Sequence, residues 1–302
     1  MAFKDRSEST ELKIMRALNA RSNLSPKEKK YYFKLEKGYQ GELMFDLLTE
    51  KLQSDIFVIN SLCLEINDTV FQIDTLIIKQ DTIYPFEVKN ISGDYFYDSE
   101  GFHKISGNDI INPLDQIKRS KLLLSQLLQN LGYTIPIRPT IIFINPSFTL
   151  YQAPLNQPII YPTQINGFMK EFDRTPSKLN DRHKKLAERL ISLHSNKSPY
   201  PDRLPTYEYR NLTKGIVHPK CNSFMVSDGE KVVVCEKCGD VESIESAILR
   251  TVEELKFLFP DSKITTSLVH EWCRVIKSKK MIRRILMKNY KAIGYGRWFY
   301  FE

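Results

Sequence analysis

The stretch "QIDTLIIKQDTIYPFEVKN", Gln72 to Asn90, limits what this chain can fold into more than any other. Two runs rich in Ile, Leu, Tyr, Phe and Val flank a short polar turn, the signature of a β-hairpin. A tight turn at Gln80–Asp81 opposes residues whose numbers sum to 161, and a symmetric four-residue loop from Lys79 to Thr82 gives the same register. Asp74 then faces Glu87, with Cβ atoms about 4.5–5.5 Å apart. Lys89 projects from that face too, because strand side chains alternate, whereas Phe86 and Val88 point the other way, into the core.

Two carboxylates opposed at that distance repel. A divalent cation compensates: Mg²⁺ (or Mn²⁺) is typically held by one or two carboxylates, with water and phosphate completing its shell. Lys89 adds an amine that as the ammonium can orient an attacking water or steady charge growing on phosphorus, and as the neutral base can deprotonate that water. The competing reading is a hairpin whose polar face meets solvent. Leu76, Ile78 and Ile83, apolar on the same face, argue against it.

Upstream, "GYQGELMFDLLTEKL" predicts a helix with Leu43, Phe45, Leu47, Leu48 and Leu52 at helical spacing and Glu42 in its first turn. "IFVINSLCLEI" is a strand before the hairpin, and "SGDYFYDSEGFHKISGN" is looser chain after it. "NPLDQIKRSKLLLSQLLQNLGY" is a helix capped by Asn112, begun by Pro113 and stopped by Gly132. "IRPTIIFIN" is then a buried strand. This order makes a mixed α/β layer over residues 37–150. Residues 1–36 read as a helix, a polar break at "RSNLSPKEKK" and a second short helical stretch, without chemistry. Residues 151–213 read as a connector around the helix "DRHKKLAERLISLH".

An acid, a turn and a Glu-Val-Lys on the next strand look like the core of the PD-(D/E)XK nucleases, the restriction-endonuclease-like fold. More narrowly, "GYQGE", "QIDTLII", "YPFEVKN" and "NPLDQIKRS", in that order, resemble the nuclease-related domain family, NERD, over residues 37–144. The resemblance implies Asp74 and Glu87 as Mg²⁺ ligands and Lys89 as the catalytic lysine. It also implies Glu42 as a helix-borne acid and Gln116 as a helix residue supporting water or phosphate. Ile73 stands where the larger superfamily carries proline. Glu42 has a capping explanation as well, and Gln116 a surface one.

"HPKCNSFMVSDGEKVVVCEKC" holds His218-x-x-Cys221, thirteen residues, then Cys235-x-x-Cys238 and Gly239. Two ligand pairs around a turn, "SDGEK", are a structural Zn²⁺ signature, and four ligands leave no open position for catalysis. With His218 a bystander, the site would be three cysteines. This segment, residues 214–242, resembles a zinc ribbon. The chain has five cysteines, an odd number that argues against a disulfide framework; Cys63 and Cys273 read as buried thiols.

Net charge is +8, and residues 243–302 carry twelve Lys/Arg against six Asp/Glu. From Lys277 to Arg297 there are eight basic residues and no acid, the pattern of a polyanion-binding face or, more commonly, of a solvated helix. The segment reads as three helices and an aromatic edge, "YGRWFYF". The second helix has a Thr cap and a stripe of Leu268, Trp272 and Ile276. The third turns Met281, Ile282, Ile285 and Leu286 inward, with Lys279, Lys280, Arg283, Arg284 and Lys288 around its remaining surface. It looks like a winged helix-turn-helix whose basic helix enters the major groove or tracks phosphates; the alternative is a three-helix oligomerisation or docking module.

The expected fold is α/β, a restriction-endonuclease-like mixed sheet flanked by helices, with a small zinc ribbon and a winged-helix-like C-terminal module. The expected function is a Mg²⁺-dependent endonuclease on DNA, double-stranded first. The alternatives are a non-catalytic DNA-binding or regulatory protein on a nuclease-like scaffold, or RNA as substrate, for which no stacking motif speaks. No apolar run approaches the ~18–20 residues of a membrane span, and the N-terminus lacks a signal-peptide core. The cytoplasm is the expected location, with no membrane partner; the sequence leaves a homo-oligomer open.

Overall fold

The structure, a computed structural model, describes residues 2–107, 111–195, 204–229 and 231–302. Glu230 of the expected "SDGEK" turn, residues 196–203 of the expected connector and the Arg297 side chain of the basic run lie outside what it describes. The chain forms two compact units, coarser than the five expected segments: Met1–Glu8 with Phe33–Pro201, and Ser9–Tyr32 with Asp202–Glu302.

Helix α1 (Thr10–Arg21) starts at Ser9, whose hydroxyl accepts from the Leu12 amide. Ser25 and Glu28 then form a capping box, each taking the other's amide proton, with Pro26 as the first residue of α2 (Pro26–Thr49). This corrects two expectations. The polar break is confined to the residues between the helices, and α2 runs unbroken through Gly38 and Gly41 where a fresh helix was expected. A glycine inside a helix costs about 1 kcal/mol, but at Gly41 a Cβ would stand 2.4 Å from Asn90 Cβ. The close approach of helix to strand end requires glycine there.

In the first unit, β1 (Phe57–Ile66) turns through Asn67 and Asp68, at φ 47° and 58°, into β2 (Thr69–Ile78). Two left-handed residues in a two-residue loop match the twist of the flanking strands. β2 pairs antiparallel with β3 (Ile83–Lys89) through Ile78↔Ile83, Ile77↔Tyr84, Leu76↔Pro85 and Thr75↔Phe86, the expected register. Next come β4 (Gly93–Asp98) and β5 (Gly101–Lys104), an antiparallel pair in the stretch expected to be loose. Aromatic packing overrides their Gly- and Asp-rich punctuation: Tyr95 and Phe102 are buried with Phe143 and Phe148. α3 (Pro113–Asn130) is capped by Asn112, which accepts from the Leu114 amide, and Gly132 follows at φ 78°. β6 (Thr140–Phe143), β7 (Phe148–Tyr151), β8 (Ile159–Ile160), α4 (Ile165–Arg174) and α5 (Asp181–Ser192) complete the unit. Of these, β7, β8 and α4 were not expected.

The main sheet runs β1-β2-β3-β6-β8, antiparallel up to β3 and parallel from β3 to β8. One face packs Leu76, Ile78 and Ile83 against Leu124 and Leu128 of α3 and Leu186 and Leu190 of α5. The other packs Phe86 and Val88 against Phe45 of α2 and Met169 and Phe172 of α4. Core lies on both faces, so the acid-bearing face is not the solvent side of a one-sided sheet. The N-terminal residues join this unit, with Lys4 bridging to Ile59 and Phe3 packing on Phe57.

In the second unit, β9 (Met225–Ser227), β10 (Val232–Cys235) and β11 (Val241–Ser243) form an antiparallel sheet, and β11 leads directly into α6 (Ile244–Leu258). α7 (Thr266–Cys273), capped by Thr265, and α8 (Lys279–Asn289) follow, then the short pair β12 (Ala292–Ile293) and β13 (Tyr300–Phe301). Trp272, Ile276, Ile282, Ile285 and Leu286 are buried, as their spacing predicts, with Leu268 half-buried. Arg21 of α1 is buried among them: it pairs with Glu254, donates to the Thr213 and Gly215 carbonyls, and lies 4.3 Å from the Trp272 ring. Among the described residues no helix is long and apolar enough to cross a membrane.

Candidate active site and metal centre

The hairpin ladder stops at Thr75↔Phe86, one pair short of Asp74 and Glu87. Beyond it β3 pairs with β6, and the Val88 amide is taken at 2.8 Å by the Asp74 side chain. On its other side Asp74 lies level with Ser61, which drops out of the β1–β2 ladder at φ 50°. A non-glycine residue in that region is uncommon. The sheet is therefore open on both sides of Asp74.

Into that opening come the residues expected there. Lys89 Nζ donates to Glu87 Oε1 at 2.7 Å and to Gln116 Oε1 at 2.8 Å, and Gln116 Nε2 donates to Glu87 Oε1 at 2.5 Å. Gln116, on the first turn of α3, thus locks the acid and the lysine in one triangle. Glu42 arrives from α2, the helix covering the opposite face. Burial, followed by the neighbouring Glu87 and Glu42 carboxylates, raises Asp74 well above the usual carboxylate range, against Lys89 and the Val88 amide. Burial likewise raises Glu42 to about 6, opposed by Arg6 and reinforced by Glu87 and Asp46.

Arg6 was not expected. Its side chain, 2% exposed, bonds Glu42 at 2.5 Å, clasps Asp46 at 2.7 and 2.8 Å, and reaches Thr75 and Ser61. A lone arginine in a polar leading segment carries no periodic signal, so only the long-range fold reveals it. Arg6→Ala would leave two nearly buried carboxylates unpaired and is expected to destabilise the first unit by about 3–5 kcal/mol. Chemical denaturation measures this; a loss below about 1 kcal/mol would make the pair no more than a surface one.

Three carboxylates, a glutamine and a lysine around a break in a sheet suit a hard cation with oxygen ligands. Their repulsion has a pH signature. Between pH 4.5 and about 6 the folded chain holds a proton on Glu42 that the unfolded chain has lost. Stability without metal therefore falls as pH rises through that window, by up to about 2 kcal/mol from Glu42. Melting curves at pH 5 and 7 check it: added Mg²⁺ should stabilise at pH 7 and much less at pH 5. An equal shift at both would contradict the cluster's charge.

In the second unit one ligand atom each from His218, Cys221, Cys235 and Cys238 lies within 4.8 Å of the others. His218 and Cys221 precede β9, Cys235 ends β10, and the turn through Cys238 closes at Gly239, φ 74°. His218 Nδ1 faces Cys238 Sγ at 3.8 Å, while Nε2 meets Asp240 Oδ2 at 3.1 Å. A carboxylate on the far nitrogen fixes the ring so that Nδ1 can ligate. Ser223 lies 3.2 Å from Cys235 Sγ and pulls that thiol down to about 6, whereas Cys238 pushes Cys221 up to about 11. Such a thiol cluster calls for a cation and is compatible with a zinc site; Asp240 and Ser223 are the partners that ligand spacing could not reveal. Cys63 and Cys273 are buried, as expected, and burial raises both thiols, the latter to about 12.

Lys279, Lys280, Arg283, Arg284 and Lys288 are all exposed on or at the start of α8. Lys288 pairs with Glu245 at 2.8 Å.

The first unit is a mixed α/β domain, its sheet flanked by helices, that gathers clustered acids, a lysine and a glutamine at one break. Residues 37–144 match the nuclease-related domain family, NERD, and the chain carries such a domain over that segment. Arg6 lies outside the match. No curated protein and no solved structure matches the chain.

Proposed function

We propose that the chain is a metal-dependent nuclease that hydrolyses DNA phosphodiester bonds, with Asp74 and Glu87 holding Mg²⁺ or Mn²⁺. When bound, such an ion makes a coordinated water acidic and offsets charge on the scissile phosphate. Lys89 presents its ammonium beside Glu87, where it can steady the attacking water or the developing phosphorane charge. Gln116 fixes the Lys89 and Glu87 side chains against each other, so neither has to reorganise during reaction. Glu42, held by Arg6, adds a third carboxylate at the same spot. The exposed cations of α8 suit the phosphate backbone, and the His218–Cys221–Cys235–Cys238 cluster suits a structural Zn²⁺. The β12–β13 pair following α8 suits a winged helix-turn-helix.

The observation carrying this reading is that two strand acids, a lysine and a helix glutamine meet at the break in the sheet. Supercoiled plasmid tests it. Strand scission by the full chain that needs added Mg²⁺ and slows by about 10²-fold or more in Lys89→Ala supports the proposal. Its absence with Mg²⁺ or Mn²⁺ leaves the non-catalytic scaffold instead.

A further inference from the structure

The last hairpin of the second unit exposes two large aromatic rings beside a basic helix. Between β12 and β13, Tyr295 is 88% and Trp298 66% exposed. The Trp298 amide donates to the Tyr295 carbonyl at 3.3 Å, so both rings leave one tight turn. Gly294 and Gly296 stand at φ 74° and 60°, and a Cβ on Gly294 would lie 2.8 Å from the Trp298 carbonyl oxygen. The turn is anchored at its base: Phe301 is buried and its backbone bonds Ile264, with Phe299 packed edge-on against it. Arg283 of α8 lies 5.4 Å from the Phe299 ring, and Lys263 lies 4.9 Å from Tyr300.

Exposed rings among cations suit a partner that offers flat π-faces along a chain of negative charge. Unpaired bases on a phosphate backbone do so, whereas a duplex keeps its base faces stacked inside. A lipid surface also attracts Tyr, Trp and basic residues, but seating α8 in an interface would need an outward apolar face. Its Ile282, Ile285 and Leu286 are buried instead.

We infer that the turn bearing Tyr295 and Trp298 stacks on unpaired bases of single-stranded DNA while Arg283 and Lys263 follow the backbone. This deepens the DNA reading and rests on it: the favoured substrate carries a single-stranded segment.

Trp272 is fully buried, so of the two tryptophans only Trp298 is placed to report contact. The full chain, without added Mg²⁺, is titrated with a single-stranded DNA oligomer, a blunt duplex of equal length, the matching RNA, and phosphatidylserine vesicles. Expected are quenched Trp298 fluorescence with single-stranded DNA and about tenfold weaker Kd for that strand in Tyr295→Ala and in Trp298→Ala. Duplex affinity and thermal unfolding should not change, and Trp298→Phe should keep the affinity while losing the signal. Unaltered single-strand binding in both alanine variants overturns the inference, as does equal loss on duplex, or tighter binding of RNA or vesicles. Duplex binding with no binding of the single strand overturns only this inference; failure to bind any DNA overturns the DNA reading as well.

Discussion

Lys89→Ala is expected to slow Mg²⁺-dependent strand scission by about 10²–10³-fold, the usual loss when one preorganised charge is removed from a reacting centre. Two roles for Lys89 have to be separated. Its ammonium sits 2.7 Å from Glu87 and could serve only to offset that acid. In that case its removal would tighten metal binding and leave the rate at saturating Mg²⁺ intact. If it acts on the water or phosphate, the rate at saturating Mg²⁺ falls whatever the metal affinity does. Single-turnover cleavage across a Mg²⁺ titration distinguishes the two, and an unchanged plateau removes Lys89 from the chemistry. Asp74→Asn is a useful companion. Its amide oxygen can still accept from Val88, so the strand break keeps its bond while the repulsion with Glu87 and Glu42 is gone.

If the Cys/His cluster holds zinc as proposed, chelating it is expected to unfold β9–β11. The strands have three, four and three residues, and Met225, Val233 and Cys235 are their buried members. So little apolar surface cannot hold a sheet alone, whereas zinc binding by small Cys/His modules contributes about 10–16 kcal/mol at neutral pH. Elemental analysis should find one zinc per chain, and chelation should abolish hydrogen-exchange protection in the three strands. Asp240→Ala, by freeing the His218 ring, should weaken zinc retention about 10–100-fold. Purified protein without zinc would defeat the assignment.

What the sequence allowed to be read follows from how local each signal is. The hairpin register follows from strand parity and turn length, and the four observed pairs carry it. The Cys/His cluster is legible because its pairs are two short loops. The opening at Asp74 is not legible, since pairing rules say where strands match and not where they part. Nor is the β4–β5 pair, whose glycines and aspartates resemble a loop until Phe143 and Phe148, distant in the chain, supply its aromatic neighbours. α2 begins upstream of the helix expected from Gly38 because its polar first half carries no apolar stripe, while the bareness of Gly41 serves Asn90.

The Arg6 clasp separates two ideas of a domain. Sequence similarity marks a unit from residue 37, yet the partner of the acids at Glu42 and Asp46 is Arg6, 36 and 40 residues before them. A fragment trimmed to the similarity would keep the four nuclease-related motifs and lose the charge that lets its helix acids coexist. Inactivity in such a fragment would report the trimming and not the chemistry.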